Sequence, residues 1–471
     1  MTIADSAPGG DHLSRSGRSI SFWYSQVVPH PRRRPPLAGH READVCIVGG
    51  GFTGLWTAYK LLRLEPSLEV VLLEAEMVGF GASGRNGGWV EGRLAGSREH
   101  WAARGGRAAT IALERAMHKA VDDVGEVASC EGIDCAFRKG GTLAIAQSAL
   151  QLQKVRAEVA ADRSWGFGPE DTCLLDGASV TRRVAVDGVV GARYSPHCAR
   201  VQPARLAVGL GEAVERAGGT IYEGTRVTSI EPGAARTAAG VVRAKFIVRA
   251  TEAYTASLSR QRRVMLPLSS CMLATEVLSP DTWDAIGWDE AETMLDGARR
   301  YVYIQRTGDG RIAIGGRGIP YRYGSKTEAE GPPPGNAIRS LRERLTSLFP
   351  ALSNVEVEGT WHGMLGASRQ WAPAVGLDQR TGLAWAGGYV GEGVAAANLA
   401  GRTLTDLITS RDSELTRLPW VGPIGRSWPP EPLRFLAVRG VNAMMEVADR
   451  REWRTDRTSF AGRVAHLISG R

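Results

Sequence analysis

The hydrophobic positions near the start of the chain form two short uninterrupted runs separated by an amphipathic segment. The runs DVCIVGG (44–50) and EVVLLEAE (69–76) lack the alternation of a half-exposed strand, which is typical of strands buried on both faces of a parallel sheet. Between them, apolar residues recur every three or four positions over 53–64, and Pro66 ends the predicted helix because proline cannot continue it. This order predicts a compact βαβ unit.

The later segments predict a second, mostly antiparallel sheet that interrupts the first unit. Residues 264–318 contain several short strand patterns, and residues 383–408 return to a strand followed by a helix. Further helices are predicted at 106–130, 148–163, 201–217 and 336–349. We therefore expect an α/β chain, α+β overall, in which a Rossmann-like nucleotide-binding domain carries an inserted substrate domain. The predicted boundaries are 1–42 for an N-terminal lead-in, 43–135, 196–262 and 359–410 for the nucleotide-binding domain, 136–195 and 263–358 for the substrate domain, and 411–471 for a C-terminal appendage.

The charge balance of the 471 residues is mildly basic. Lys and Arg number 58 against 50 acidic residues, which gives a formal net charge of +8. This excess can attract anions or membrane surfaces, but it is also typical of an ordinary solvated surface, which is the interpretation we favour. Since basic residues do not interleave with aromatic ones, we expect no nucleic-acid partner.

Cysteine usage and the hydropathy of the chain predict a cytoplasmic protein. The six cysteines are scattered and form no C-x-x-C pair, so neither a metal site nor a redox pair is expected. Residues 1–20 lack the apolar core of a signal peptide. The sequence also contains no run of roughly 18 apolar residues, so no membrane-spanning helix is predicted. Residues 428–453 have apolar positions near helical spacing and basic flanks, for which packing against the protein is favoured over a membrane-surface role.

A glycine fingerprint follows the first apolar run. Gly49, Gly51 and Gly54 form G-x-G-x-x-G between the predicted strand and helix, and Glu74 ends the next strand 20 residues after Gly54. Such glycines allow a tight turn, the approach of a pyrophosphate to the backbone, and close helix–strand packing, while the acid binds ribose hydroxyls. The pattern predicts dinucleotide binding; the alternative is a glycine turn that only packs a helix on a strand.

Two further glycine-rich segments bear on which dinucleotide is bound. GFGASGRNGG (79–88) follows the acidic strand directly, where an NAD-binding domain normally continues its alternation of strands and helices. AGGYVGEGVAAANLAG (386–401) leads from a glycine-rich loop into a second helix, whose N-terminus can stabilise negative charge on a reduced flavin ring. Taken singly, the two segments also fit a surface turn and an ordinary helix start. Together with the fingerprint they favour FAD over NAD.

In this order the three segments resemble the D-amino-acid oxidase-like family of FAD-dependent oxidoreductases, and within it the gamma-glutamylputrescine oxidoreductase branch. The motifs that carry the resemblance extend from residue 21 to about 408: SFWY, DVCIVGGGFTG, GASGRNGG, VQPARL, GTRVTSI, FIVRATEAYT, IAIGGRG and GGYVGEGVAAANLAG. The cysteine and histidine patterns that bind flavin covalently in the family are missing, so the resemblance implies non-covalent FAD. A covalent bond between the flavin and His362 or Cys271 would overturn this expectation. Trp361-His362-Gly363 is not followed by the Asp of the family's Asp-x-x-Pro element. We therefore expect some of the residues around the flavin to differ from those of other family members.

The resemblance also implies which residues hold the cofactor. They lie in the fingerprint, in the loop 79–88, near the adenine side of the sheet and in the flavin-end loop. The implied residues are Gly49, Gly51, Phe52, Thr53, Gly54, Glu74, Ala75, Ser83, Arg85, Asn86, Gly87, Val227, Ala250, Gly388, Gly391, Gly393 and Val394.

The chemistry implied by the resemblance is oxidation of a carbon–nitrogen bond. In such enzymes a hydride leaves the carbon beside an amine nitrogen for flavin N5, the imine is hydrolysed, and the electrons pass to O2 or another acceptor. Because an ammonium group resists this loss, we expect a dry site that keeps the amine neutral. We expect an amine or amino-acid substrate to contact Trp89, Tyr303, Arg317 and Tyr389, with Arg317 as a bidentate carboxylate clamp. Core packing for Trp89 and Tyr303, and an internal ion pair for Arg317, are the competing interpretations.

Three rival functions stay open on the sequence. A flavin monooxygenase shares the first fingerprint but usually carries Gly-Asp where this chain has Gly391-Glu392-Gly393. A non-catalytic flavoprotein would hold FAD without being reduced by any amine. An NAD-dependent enzyme would be colourless when pure.

Overall fold

Two eight-stranded sheets organise the chain. The computed structural model describes residues 20–316, 318, 321–327, 332–457 and 459. The strands are β1 Arg41–Val48, β2 Val70–Leu73, β3 Trp89–Glu91, β4 Thr142–Ala146, β5 Cys173–Asp176, β6 Gly191–Ser195, β7 Cys198–Arg200, β8 Thr220–Tyr222, β9 Val227–Glu231, β10 Ala234–Thr237, β11 Val241–Arg249, β12 Leu266–Thr275, β13 Thr293–Leu295, β14 Tyr303–Arg306, β15 Ile312–Gly316, β16 Val357–Ala367, β17 Ala374–Asp378 and β18 Leu383–Gly387. The helices are α1 Phe22–Ser25, α2 Phe52–Leu64, α3 Arg98–Cys130, α4 Ala149–Ser164, α5 Gly177–Thr181, α6 Pro203–Arg216, α7 Pro280–Ile286, α8 Gly335–Leu348, α9 Gly393–Ile408 and α10 Leu433–Thr455.

The first sheet has the predicted Rossmann-like arrangement. Its strand order is β17-β18-β11-β1-β2-β8, in which all neighbours are parallel except the edge strand β17. In β1, Val45 and Ile47 face the core formed with α2, α6 and α9, whereas Cys46 and Val48 face a core covered by the β9–β10 hairpin. Burial on both faces explains why this strand reads as an uninterrupted apolar run.

Helices α2 and α9 pack side by side on this sheet. A Cβ at Gly401 of α9 would lie 2.7 Å from the Cβ of Trp56 on α2, so only glycine permits this approach. The predicted helix of 53–64 is confirmed within one residue, since α2 begins at Phe52 and ends at Leu64. The close packing brings the N-terminal ends of two glycine-led helices to the same region of the molecule.

The second sheet is mostly antiparallel, as predicted. Its order is β16-β12-β15-β14-β13-β4-β6-β5, and only the β13–β4 pair is parallel. In β12, Cys271 and Leu273 pack with α8 in one core, whereas Met272 and Ala274 pack with α1 in another. One face of this sheet therefore carries helices, and the other face lies toward the first domain.

The domain division stays a prediction. Strand β16 pairs with β12 along its length, although most of its residues fall in the predicted nucleotide-binding segment 359–410. The helix predicted at 106–130 begins earlier, at Arg98, and Gly106 interrupts its helical geometry with a φ of +81°. A glycine pair inside a helical pattern reads as a boundary in the sequence, but here the chain resumes the helix.

The C-terminal helix α10 lies against the body of the protein. Glu452 accepts hydrogen bonds from Arg299 at 2.8 Å and from Lys154 at 2.9 Å, and Asp449 accepts from the backbone N–H of Arg299. Leu433 and Leu436 remain exposed. Among the residues that the structure describes, no helix is long and apolar enough to cross a lipid bilayer.

Candidate active site

The glycine fingerprint forms a tight turn between β1 and α2. Gly49 has a φ of +112°, and a Cβ on it would lie 2.5 Å from the carbonyl oxygen of Ala250. A Cβ on Gly54 would lie 2.0 Å from the carbonyl oxygen of Gly49. Gly51 is the N-cap of α2, so the first N–H groups of this helix have no partner within the helix and point out of its end. This geometry fits a pyrophosphate cradle.

Glu74 lies at the carboxyl end of β2, beside this turn. Its carboxylate accepts hydrogen bonds from the backbone N–H of Gly50 at 2.7 Å and of Glu76 at 2.8 Å. Burial raises the pKa of Glu74 to about 7, although these two N–H groups oppose the rise. The predicted adenine-side residue Val227 begins β9, and Ala75 lies between the two glutamates. The carboxylate is therefore at the position where the fingerprint requires a ribose ligand.

The loop 79–88 is tied to the start of α2. The Ser83 hydroxyl oxygen accepts a hydrogen bond from the Phe52 N–H at 2.8 Å, so it caps the helix and keeps a proton to donate. The Asn86 amide donates to the Ser83 carbonyl at 2.8 Å, and its oxygen accepts from the Gly88 N–H at 2.7 Å. Asn86 thus holds the shape of the loop, and Ser83 is the side chain placed toward the helix end.

An aromatic cluster supports this loop from the outside. Trp23 donates its indole N–H to the Asn86 carbonyl at 2.8 Å, and Trp361 of β16 donates to the Arg85 carbonyl at 2.8 Å. Trp361 also stacks on Phe22, with ring centroids 5.8 Å apart. The Arg85 guanidinium donates to the Phe80 carbonyl at 2.7 Å. The SFWY segment and the Trp-His-Gly motif therefore position the loop backbone.

The flavin-end loop reaches the fingerprint directly. The Tyr389 hydroxyl lies 2.9 Å from the hydroxyl oxygen of Thr53, in the first turn of α2. Gly388 and Gly391 have φ values of +81° and +106°, which glycine adopts readily, and they lead into α9 at Gly393, with Val394 buried behind it. One hydrogen bond thus joins the two glycine-led helix starts. Tyr389, predicted as a substrate contact, has its hydroxyl engaged in this link.

Glu252 belongs to this region although the sequence reasoning did not select it. Its carboxylate accepts hydrogen bonds from the backbone N–H of Gly388 at 2.8 Å, Tyr389 at 3.3 Å and Gly366 at 3.3 Å. Burial raises the pKa of Glu252 to about 7, against the effect of these N–H groups. Its place after a buried parallel strand, inside the quoted motif FIVRATEAYT, was the available signal.

Two predicted aromatic residues lie next to the loop 79–88. The rings of Trp89 and Tyr303 meet edge to face with centroids 6.1 Å apart, and a Cβ on Gly87 would lie 2.6 Å from the Tyr303 ring. The Tyr303 hydroxyl lies 2.8 Å from the Ser270 hydroxyl oxygen. Trp89 Nε1 is buried and finds no hydrogen-bond partner in the described part of the chain. Gln305, missed by the sequence reasoning, donates to the Gly87 carbonyl at 2.7 Å.

The remaining predicted residues are placed as follows. Arg317 lies outside the described residues. Cys271 and His362 are register partners in the β12–β16 pair, and both are buried.

The arrangement fits a flavin dinucleotide. A glycine turn, the Glu74 carboxylate, a capping hydroxyl and a second helix start surround one region, and an indole N–H without an acceptor in the described part of the chain borders it. The two helix N-termini in this region carry partial positive charge, which suits a pyrophosphate and an anionic flavin ring.

Comparison with known proteins identifies the family. The model of the family described as FAD dependent oxidoreductase (DAO) matches residues 44–407. The chain belongs to this DAO family. Membership confirms the resemblance inferred from the motifs and the FAD cofactor, and it argues against an NAD-dependent enzyme.

Individual DAO relatives match over most of the chain. Gamma-glutamylputrescine oxidoreductase of Escherichia coli (strain K12) is 31% identical over 377 residues, which cover 78% of this chain and 83% of the relative. The crystal structure of glycine oxidase from Geobacillus kaustophilus has a TM-score of 0.67 at 21% identity and covers 79% of this chain and 96% of its own. That of L-proline dehydrogenase from P. horikoshii has a TM-score of 0.66 at 20% identity and covers 82% and 98%. These structures confirm the predicted fold of the DAO chain.

Proposed function

We propose that this DAO-family oxidoreductase oxidises the carbon–nitrogen bond of an amine or amino acid, acts in the cytoplasm, and holds FAD without a covalent bond. The relatives with amine and amino-acid substrates in their names support the reaction class. The six cysteines, none of them in a disulfide, support a reducing compartment.

One contact carries the proposal: the hydrogen bond of 2.9 Å between Tyr389 and Thr53. It joins the start of α2, which suits a pyrophosphate, to the loop before α9, which suits the pyrimidine end of a flavin. The residues that would hold FAD are then Gly49, Gly51, Gly54, Glu74 and Ser83 at the dinucleotide, with Gly388, Gly391 and Gly393 at the ring. Glu252 fixes the backbone of the second group through its contacts with Gly388 and Tyr389.

The rings of Trp89 and Tyr303 would form the substrate wall. FAD, when bound, supplies the acceptor for the hydride that leaves the carbon beside the nitrogen. The aromatic wall excludes water, which disfavours the ammonium form of the substrate and leaves a nitrogen lone pair to form the C=N bond. Burial also raises the pKa of the Tyr303 phenol, so this residue acts as a neutral hydrogen-bonding group and not as a base. Water then adds to the imine carbon, and the nitrogen leaves as the amine with a carbonyl product.

An anaerobic substrate screen tests the proposal. The yellow holoenzyme is mixed with panels of primary amines, N-methyl amines and amino acids, with the corresponding alcohols as controls, and the visible flavin absorbance is followed. Bleaching by amines and not by alcohols supports C–N oxidation. Failure of every amine to bleach the flavin overturns it in favour of a non-catalytic flavoprotein. Re-oxidation in air then separates O2 from another acceptor.

A further inference from the structure

Helix α10 exposes apolar side chains on the face that is turned away from the protein. Leu433 and Leu436 are each 62% exposed, and Val447 is 56% exposed. Gly440 and Ala443 lie between them and are also exposed. These five residues form the α10 stripe. A contiguous apolar surface marks an interaction site, because its removal from water is favourable, whereas single exposed apolar residues carry no such meaning.

The opposite face of α10 is attached to the protein, so the stripe cannot turn inward. Ala448 and Glu452 are buried on that side. Phe435 and Val438 pack against the apolar cluster that contains Trp428. The stripe is therefore a fixed feature of the surface and not the inner face of a detached helix.

The spacing of the stripe is that of a contact between two helices. From Leu433 the positions 436, 440, 443 and 447 follow at alternating intervals of three and four residues. This is the a/d pattern of a heptad repeat, whose side chains interdigitate with those of a second helix. At a rise of about 1.5 Å per residue, the five positions extend over about 21 Å of the helix. The face therefore fits another helix with the same pattern.

Two copies of the stripe match each other when the helices run antiparallel. With Gly440 opposite the partner's Ala443, Leu436 falls opposite the partner's Val447, because a positions face d positions in an antiparallel pair. A two-fold axis then repeats each contact, as in any isologous dimer. The small residues lie at the centre of the contact and the large apolar residues lie on both sides of it.

The charges beside the stripe favour the same arrangement. In the antiparallel pair Arg439 lies opposite the partner's Glu446, and the two-fold axis repeats this opposite-charge contact. In a parallel pair Arg439 would lie opposite the partner's Met444, which carries no charge. Within its own chain Glu446 contacts Arg450 at 2.6 Å and Arg300 at 3.6 Å, and such partly exposed ion pairs are weak enough to rearrange.

A lipid surface fits this face less well than a second copy of the chain. A helix that binds a membrane surface inserts large apolar and aromatic side chains and carries basic residues on its polar face. The middle of the stripe is formed by Gly440 and Ala443, which would bury little area in lipid but allow another backbone to come close. The flank of the stripe also carries an acid, Glu446, beside Arg439.

We propose that the α10 stripe is a homodimer interface, in which two copies of the helix pack antiparallel about a two-fold axis. The contact covers about four turns of one helix in each protomer. Such a contact is at the small end of specific interfaces, below about 1,200 Å² in total, so we expect a dissociation constant in the micromolar range.

Sedimentation velocity of the full-length chain from about 1 to 100 µM tests the interface. The wild type should pass from monomer to dimer over this range. Leu436→Glu places a charge inside the contact and should raise the dissociation constant at least about 10-fold. Val277→Glu is the matched control, since Val277 is 54% exposed and lies outside α10, and it should leave the association unchanged.

Charge reversal tests the antiparallel pairing itself. Arg439→Glu and Glu446→Arg each place like charges opposite one another, so each should weaken the dimer at least about 10-fold. The double variant restores opposite charges in both contacts and should return the dissociation constant to within about 3-fold of the wild type. Since both side chains lie at the surface, the single variants should keep the wild-type unfolding temperature, which separates loss of association from loss of folding.

Three results would overturn the proposal. The first is a wild-type chain that stays monomeric over the whole range, including one that instead floats with vesicles of phosphatidylcholine and phosphatidylserine, which would assign the face to a membrane. The second is a dimer that Leu436→Glu does not weaken. The third is a double charge reversal that associates no better than the single variants. None of these measurements depends on the reaction at the flavin, so the interface and the proposed function stand or fall separately.

Discussion

Gly54→Ala tests the packing that shapes the dinucleotide cradle, because two physical effects predict opposite signs. Alanine in place of glycine inside a helix normally stabilises a protein by about 1 kcal/mol. At position 54, however, the added Cβ would lie 2.0 Å from the carbonyl oxygen of Gly49 and 3.1 Å from the Ile47 side chain. The closest atom is backbone and cannot rotate away, so α2 must move off β1.

The clash should outweigh the helix propensity. Overpacking in a close contact costs typically about 1–3 kcal/mol, and a backbone obstacle places this site at the upper end. After the propensity gain of about 1 kcal/mol is subtracted, we expect the free energy of unfolding to fall by about 2 kcal/mol. Displacement of the turn should also weaken FAD binding by at least about 10-fold, since about 1.4 kcal/mol of lost contact suffices for that change.

Denaturant unfolding and bound flavin content measure both effects, with Gly440→Ala as the matched control. Gly440 lies inside α10, and a Cβ there would meet no atom within 4 Å. We expect Gly440→Ala to be neutral or stabilising and to retain full flavin. The reasoning is refuted if Gly54→Ala is as stable as Gly440→Ala and binds FAD with wild-type affinity.

Two further predictions concern the groups around the cradle. Trp361→Phe removes the hydrogen bond of 2.8 Å to the Arg85 carbonyl but keeps most of the ring contact. We therefore expect the free energy of unfolding, measured by thermal unfolding, to fall by about 1 kcal/mol and the flavin to dissociate faster. An unchanged flavin dissociation rate would contradict a role for Trp361 in positioning the loop. Burial raises the pKa of Glu252 from 4.5 to about 7 in the folded protein. The contribution of Glu252 to the free energy of unfolding is therefore largest below about pH 4.5, and it is lost as the pH rises through 7. In Glu252→Gln the fall in the free energy of unfolding between pH 5 and pH 8 should therefore be smaller than in the wild type, by up to about 3 kcal/mol. If denaturant unfolding gives the same pH dependence for the variant and the wild type, Glu252 is not the titrating group.

The parts of the fold that depend on local pattern could be predicted from the sequence. Strand β1 could be predicted because its burial on both faces removes the alternation of polar and apolar residues. The start of helix α2 could be predicted because the spacing of the glycines marks the turn before it. The same applies to α9, whose start is marked by the glycine-rich segment that precedes it. In these segments neighbouring residues carry the whole signal.

The parts that depend on distant contacts could not be predicted. The sequence does not show that Trp361 donates to Arg85, because 276 residues separate the two in the chain. The sequence predicts both Asn86 and Ser83 as cofactor contacts. In the structure, however, the Asn86 amide donates to a carbonyl of its own loop, whereas the Ser83 hydroxyl faces the end of α2.

The flavin content of the purified chain tests the central claim most directly. The account predicts a yellow protein with one FAD per chain that is released on denaturation. Gly51→Val should lose the flavin, because even the first carbon of its side chain would lie 2.9 Å from the Ser83 hydroxyl oxygen at the helix end. A colourless wild-type protein, or a folded Gly51→Val variant that retains its full flavin, would contradict the assignment of this cradle.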